Sequence, residues 1–189
     1  YDEAGNLATK TDAKGQVTKY DYDAAGRLTT VSSYLPPSSP NGSIGDPVKI
    51  VNFTYDAAGN LTSVIASEAK QSGFETTTST YTYDPQGRKT SETTSFPNGS
   101  IGNPVSLTYS YDYYANGKKK SMTYPDGQTY NFTYDNNGQL SSYQVPGQGL
   151  ISYAYTQNRP NTITYPGGVT KTMEYDPLMR TKTITVKDP

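Results

Sequence analysis

Large apolar and polar residues alternate strictly in short runs along this chain. "NFTY" at 52–55 and again at 131–134, "TYTY" at 80–83 and "SYAY" at 152–155 each place a large or apolar side chain at every second position. A period of two is that of a β-strand with one face packed, whereas an amphipathic helix needs apolar residues three and four apart. Each run ends on a tyrosine, most often followed by aspartate, and these anchors stand at Tyr1, Tyr22, Tyr55, Tyr83, Tyr113, Tyr134, Tyr155 and Tyr175. Two residues before an anchor the side chain is again large: Tyr20, Phe53, Tyr81, Tyr111, Phe132, Tyr153, Met173. The anchor and this position share a strand face, which predicts that most of the tyrosines lie in a core.

A turn follows each strand. In "DAAG" (23–26 and 56–59), "DPQG" (84–87) and "DNNG" (135–138) aspartate opens the turn and glycine closes it. An aspartate carboxylate accepts hydrogen bonds from backbone N–H groups just ahead of it, and glycine supplies the left-handed conformation that returns the chain to a strand. Asp23, Gly26, Asp56, Gly59, Asp84, Gly87, Asp135 and Gly138 are therefore the expected turn-forming residues. A second turn signal precedes several anchors by seven residues, with Gly15, Gly127 and Gly168 in "TDAKGQ", "YPDGQ" and "YPGGV". Some copies decay: Tyr114 stands where aspartate is expected, Thr156 and Arg159 replace the Asp and Gly of their copy, and Met179 takes a glycine place. Methionine is unfavourable in a left-handed conformation, so a different turn is expected at 176–179.

The anchors are separated by 21, 33, 28, 30, 21, 21 and 20 residues. The base unit is thus close to 21 residues, two strands and two turns, enlarged by insertions near 32–52, 65–80 and 91–108. The whole of 1–189 reads as one array of about eight such repeats. "PNGSIGDPV" (40–48) and "PNGSIGNPV" (97–105) mark a copied module, and the Pro- and Ser-rich "SSYLPPSSPNGS" (32–43) predicts a surface loop or a long hairpin tip. "VIASEAKQSG" (64–73) is the one stretch with helical composition.

Hydrophobic residues make up 32% and mean hydropathy is −0.76, values that alone suggest disorder. The 19 tyrosines change that picture, because a tyrosine ring buries apolar area while its hydroxyl stays polar. The composition predicts an ordered all-β protein. A net charge of −1 without clustered basic residues argues against a nucleic-acid partner, and Lys118, Lys119 and Lys120 read as a solvated strand edge. No apolar run approaches the length of a membrane helix. With no histidine or cysteine, the Ser-His-Asp and Cys-His catalytic systems and the usual zinc ligand sets are excluded. The aspartates recur with the turns, which assigns them to structure before carboxylate catalysis. Asp21 and Asp23 form only a fragment of a calcium loop. Neither a catalytic group, a metal nor a cofactor is expected.

A tandem of "Y.YD..GRL" units separated by "YPDG" turns resembles the YD repeats of the Rhs family, across essentially the whole chain. That family includes bacterial polymorphic toxins, wall-associated proteins, shell subunits of insecticidal toxin complexes and the animal teneurins. The resemblance implies an antiparallel β-sheet spiralling into a hollow shell or an elongated strip, secreted or at the cell surface, that encloses or presents an effector. The family's self-cleaving core segment has no counterpart here, since "YDPLMRTKTITVKDP" (175–189) still reads as a repeat. The expectation is a non-enzymatic scaffold, one piece of a longer chain. Two alternatives stay open: an adhesin that stacks tyrosines not committed to packing against sugar rings, and an extracellular fibre of stacked repeats. An array that starts on Tyr1 and Asp2 lacks the strand before its first anchor, so self-association through strand edges, or a much longer parent chain, is also expected.

Overall fold

The computed structural model describes residues 1–36, 47–70, 73–97 and 104–189. Among the described residues the fold is nearly all β, with a single 3-10 turn at Pro166–Gly168. Fifteen antiparallel strands of the described residues form one sheet in which every strand's neighbours are those adjacent in sequence. They are β1 (Thr9–Thr11), β2 (Val17–Tyr22), β3 (Leu28–Tyr34), β4 (Lys49–Tyr55), β5 (Leu61–Lys70), β6 (Gly73–Tyr83), β7 (Lys89–Phe96), β8 (Val105–Tyr113), β9 (Lys119–Thr123), β10 (Thr129–Tyr134), β11 (Leu140–Val145), β12 (Gly149–Thr156), β13 (Arg159–Thr164), β14 (Thr170–Tyr175) and β15 (Thr181–Lys187). Two compact units divide the chain, Tyr1–Thr108 and Tyr109–Pro189, with the boundary inside β8.

In the first unit, Tyr20 opposes Val31, Tyr22 opposes Leu28, Phe53 opposes Val64 and Tyr55 opposes Leu61, so rings and aliphatic side chains share one face. The opposite face carries hydroxyl pairs such as Thr54 with Thr62 (3.0 Å), Ser67 with Thr76 (3.0 Å) and Thr93 with Thr108 (2.9 Å). In the second unit Tyr111 opposes Met122, Phe132 opposes Tyr143 and Tyr153 opposes Ile163. Phe132, Tyr143 and Tyr153 form a stacked run with centroids 6.0 and 6.3 Å apart, each such cross-strand pair contributing about 0.2–1 kcal/mol.

Three expectations are corrected here. The helical composition at 64–73 does not make a helix: Val64, Ala66 and Glu68 pair with Ser79, Thr77 and Glu75 in the β5–β6 hairpin, because ladder hydrogen bonds override a weak local propensity. A further reading is not settled by these strands: of 32–43, expected as a surface loop or long hairpin tip, Ser32, Ser33 and Tyr34 end β3, while 37–46 and 98–103 lie outside the described residues. The lysines at 118–120 do not mark an edge, since β9 lies between β8 and β10, and Lys119 covers the Tyr111 ring at 4.7 Å. Finally, the tyrosines do not form a closed core. Among the described residues Val17, at 9% exposure, is the one buried apolar side chain, and none is fully enclosed. The ladder rings are half-buried because neighbours flank them within the sheet, and among the described residues each strand packs only against those adjacent to it.

Candidate functional site

The corners are the most constructed feature of the chain. At Asp23 the main-chain N–H donates to the Arg27 carbonyl (2.9 Å) and the Gly26 N–H donates back to the Asp23 carbonyl (2.9 Å). This is a type I turn closed by a left-handed residue, the form usual in three-residue hairpin loops. The same pair of bonds recurs among the described residues at Asp2, Asp12, Asp56, Asp84, Tyr114, Tyr124, Asp135, Tyr165 and Asp176. The "YD" and "YPDG" signals therefore encode one backbone geometry. The closing residue has φ of +75° at Gly26, +88° at Gly59, +76° at Gly87 and +79° at Gly138.

The different turn expected at 176–179 is not formed. Met179 adopts φ +59° and donates to the Asp176 carbonyl at 2.8 Å as a glycine would. The corner's remaining bonds hold it there: Asp176 accepts from the N–H groups of Leu178 and Arg180 (2.9 Å each) and from Arg180 Nε (2.7 Å). The Thr156 copy does depart, passing through a two-residue turn in which Gln157 has φ +54°.

The Asp23 carboxylate accepts from the Ala25 and Arg27 N–H groups (2.9 Å each) and pairs with Arg27 Nε at 2.7 Å. Asp84 treats Gln86 and Arg88 in the same way. Asp56 receives the Asn60 N–H (2.8 Å) and Nδ2 (2.9 Å), and Asp135 the Gln139 N–H (2.8 Å). The hydrogen bonds from the Arg27 main chain and guanidinium hold Asp23 below the ordinary carboxylate range. The Asn60 side chain and main chain do the same for Asp56. Burial pushes Asp84 upward, and the Arg88 hydrogen bonds more than offset it.

A second set of bonds, which the sequence reading missed, ties each corner to the next. The Tyr55 hydroxyl donates to the Leu28 carbonyl (2.9 Å), Tyr22 to Leu7 (3.1 Å), Tyr83 to Leu61 (2.8 Å), Tyr155 to Leu140 (2.8 Å) and Tyr175 to Pro160 (2.6 Å). These carbonyls lie where consecutive hairpins separate. The β3–β4 ladder, for instance, begins only at Thr30 opposite Asn52, leaving Leu28 beyond it. The basic residue before the acceptor stacks on the same ring in two copies, Arg27 over Tyr55 at 4.7 Å and Arg159 over Tyr175 at 5.7 Å, and Lys118 stacks on the Tyr134 ring at 4.9 Å. Tyr114, in an aspartate place, rewires its corner by donating to the Phe132 carbonyl (2.9 Å) and meeting Tyr134 edge-on. The legible signal was the leucine that recurs two residues after the glycine, at Leu7, Leu28, Leu61 and Leu140.

Residues 1–44 match the family model described as RHS Repeat. The fold of the chain resembles that of the crystal structure of TcdB2-TccC3-TEV, with a TM-score of 0.74 at 15% identity over 100% of this chain. This chain spans 10% of the length of that one. TcdB2-TccC3 without its hypervariable C-terminal region and TcdB2-TccC3 itself align over 100% of this chain at 16% identity, each over 14% of its own length, with TM-scores of 0.49 and 0.48. The likeness in fold rests on the first of these structures. No curated protein matches the sequence.

Chemistry beyond the corners is sparse. Among the described residues, no group of three or more Asp and Glu side chains is placed to hold a cation, and no helix is long and apolar enough to cross a membrane. The ring most open to solvent within an aromatic cluster is Tyr124, 38% exposed, flanked by Tyr109 (5.4 Å) and Tyr130 (5.1 Å).

Proposed function

We propose that this chain is a wall segment of a larger RHS-type β-shell, a passive scaffold that encloses or presents an effector at the cell surface or outside the cell. The observation that carries this reading is a sheet whose two faces differ. Among the described residues one face carries half-buried rings and aliphatic side chains, and the other carries threonine and serine hydroxyls. Such a sheet separates two environments, and the tyrosine bonds from corner to corner make it continuous without any catalytic group. The turn role of Asp23, Gly26, Asp56, Gly59, Asp84, Gly87, Asp135 and Gly138 belongs to the same proposal: they hold the wall's corners and do no chemistry. A hydrolase screen on the intact chain tests the reading. No turnover is expected, and turnover abolished by a carboxylate substitution overturns it.

One observation favours a second reading, a carbohydrate-binding module. Tyr124 is held by two neighbouring rings, and Asp126 and Gln128 stand on the same turn, exposed and bonded to each other (3.0 Å). An open ring beside polar groups is the arrangement that stacks on a sugar face. Specific retention on a glycan array, lost in Tyr124→Ala, would support this reading over the passive wall.

A further inference from the structure

Three tyrosine rings of the second unit meet beside the turn that joins β9 to β10. Tyr124 opens that turn, and its ring centroid lies 5.1 Å from that of Tyr130 and 5.4 Å from that of Tyr109. The hairpin fixes the first pair. Thr123 opposes Thr129 and Met122 opposes Tyr130, while the Tyr124 N–H donates to the Gln128 carbonyl at 2.9 Å. Tyr124 and Tyr130 therefore stand diagonally across one turn, on the same face of the sheet. Tyr109 belongs to β8, on the other flank of β9, so Tyr124 leaves one neighbour as it approaches the other.

Two properties mark Tyr124 and Tyr130 among the tyrosine pairs of this unit. Their rings are inclined by 56°, which turns ring edges, and the carbons beside the hydroxyl, toward the neighbour. Tyr143 and Tyr153 instead lie 25° apart at 6.3 Å and present their faces to each other. The phenols differ too in what holds their protons. Those of Tyr114 and Tyr155 donate to main-chain carbonyls, at 2.9 and 2.8 Å, and burial raises those of Tyr134 and Tyr153 above the ordinary phenol value. Neither the Tyr124 nor the Tyr130 hydroxyl makes a hydrogen bond among the described residues, and Tyr124 is 38% exposed to water that can take its proton. The chain has no cysteine and no tryptophan, which leaves tyrosine as its most readily oxidised side chain in one-electron chemistry.

We propose that Tyr124 and Tyr130 form an oxidative cross-linking site, joined by a carbon–carbon bond when a haem peroxidase and hydrogen peroxide act on the protein. Each phenol gives up one electron and one proton and becomes a phenoxyl radical, with spin density on the carbons beside its oxygen. One Cε of Tyr124 then bonds to one Cε of Tyr130, and the hydrogens on those two carbons move to the oxygens, restoring both phenols. The protein loses two hydrogen atoms, which one hydrogen peroxide takes up as it becomes two waters. The bond staples β9 to β10 at the tip of the hairpin, a place no disulfide can take in a chain without cysteine. The inference stands on ring geometry and is independent both of the wall reading and of any sugar at Tyr124.

The test exposes the intact chain, at low concentration, to a haem peroxidase and hydrogen peroxide and follows the fluorescence of dityrosine. Trypsin together with a protease that cuts before aspartate then releases Tyr124 on residues 121–125 and Tyr130 on residues 126–134. Mass spectrometry is expected to find these two peptides joined, two hydrogens lighter than their sum, as the main cross-linked product. Tyr124→Phe and Tyr130→Phe keep the rings and should each abolish that product, whereas Tyr153→Phe should leave it unchanged. Urea, which dissolves the hairpin, should abolish the preference for this pair. A main product that joins Tyr124 to the peptide of Tyr109, or one that survives Tyr130→Phe, overturns the proposal. So does the same preference in urea, a yield of cross-linked dimers in place of the internal bond, or no dityrosine at all.

Discussion

The hydroxyl of Tyr55 donates to the carbonyl of Leu28 across 27 positions of sequence, at 2.9 Å. The tyrosine ends one repeat's incoming strand and the leucine begins the previous repeat's outgoing strand, at the point where the two hairpins have parted. Without the phenol, that carbonyl would face the gap unpaired. Tyr55→Phe keeps the ring and removes only this bond, so it is expected to cost about 0.5–1.5 kcal/mol. Stability in a repeat array is shared mainly between neighbours. The loss should therefore appear as faster amide exchange in β3 and β4, with β13 and β14 unchanged.

Left-handed closing residues give the second prediction. A Cβ at Gly26 meets nothing within 4 Å, so Gly26→Ala tests backbone strain alone and is expected to destabilise by about 1–2 kcal/mol in urea unfolding. At Gly138 a Cβ would lie 2.8 Å from the Lys118 amine. Gly138→Ala therefore also displaces the lysine from the Tyr134 ring and should cost more. Met179→Gly relieves strain already present and is expected to be neutral or to stabilise by up to about 1 kcal/mol.

Acid should loosen the corners. Asp23, Asp56, Asp84 and Asp176 are held below their ordinary value of 3.8 by the hydrogen bonds they accept in the fold. The unfolded chain consequently takes up protons first as pH falls. The stability these carboxylates give is complete above 3.8 and is lost as pH drops through the lowered values. Tyr83 and Tyr155 behave oppositely, since burial raises their phenols above 10.0. Their contribution is complete below 10.0 and is lost as pH rises through the raised values, where the ionised phenol can no longer donate. Urea midpoints measured against pH should show both limbs, and Asp23→Asn should shallow the acid one.

Arg27 serves two partners, the Asp23 carboxylate at 2.7 Å and the Tyr55 ring at 4.7 Å. Arg27→Ala removes both at a partly exposed site and is expected to cost about 0.5–2 kcal/mol. Arg27→Lys keeps the charge and loses the planar fork, so it should fall between the two. A double-mutant cycle with Tyr55→Phe should be close to additive, because phenylalanine retains the ring beneath the guanidinium.

Strands and corners were legible because they are local: alternation fixes which side chains share a face, and an Asp to Gly spacing of three fixes a turn. Tyr22, Leu28 and Val31 show where local reading stops. Leu28 and Val31 are three apart, yet both lie on the ring face, because a bulge beyond Leu28 leaves Tyr22 opposite Leu28 while Asp21 opposes Thr30. The Leu28 carbonyl has no sequence signature as an acceptor, so its bond to Tyr55 could be suspected only from the recurrence of leucine there. Alternation also says nothing of what covers a face, which is why the tyrosines read as core and are half-open. Met179 was misread because its backbone was judged alone, apart from the carboxylate bonds that fix the corner around it.

After Tyr22, Tyr55, Tyr113 and Tyr134 the eighth residue opposes the third before the next anchor, and this shared register bears on how the chain changes length. Each hairpin is counted from its Tyr-Asp corner, so residues added at the opposite tip leave the ladder, the bulge and the tyrosine bond in phase. The five-residue β9 and the eleven-residue β6 coexist in one sheet on these terms. An insertion between anchor and bulge would throw every later contact of that hairpin onto the wrong face. One margin of the sheet is thus free to grow or shrink by pairs of residues, while the other keeps its residue count except at Thr156, where a two-residue turn drops one residue and the register of the next ladder moves with it.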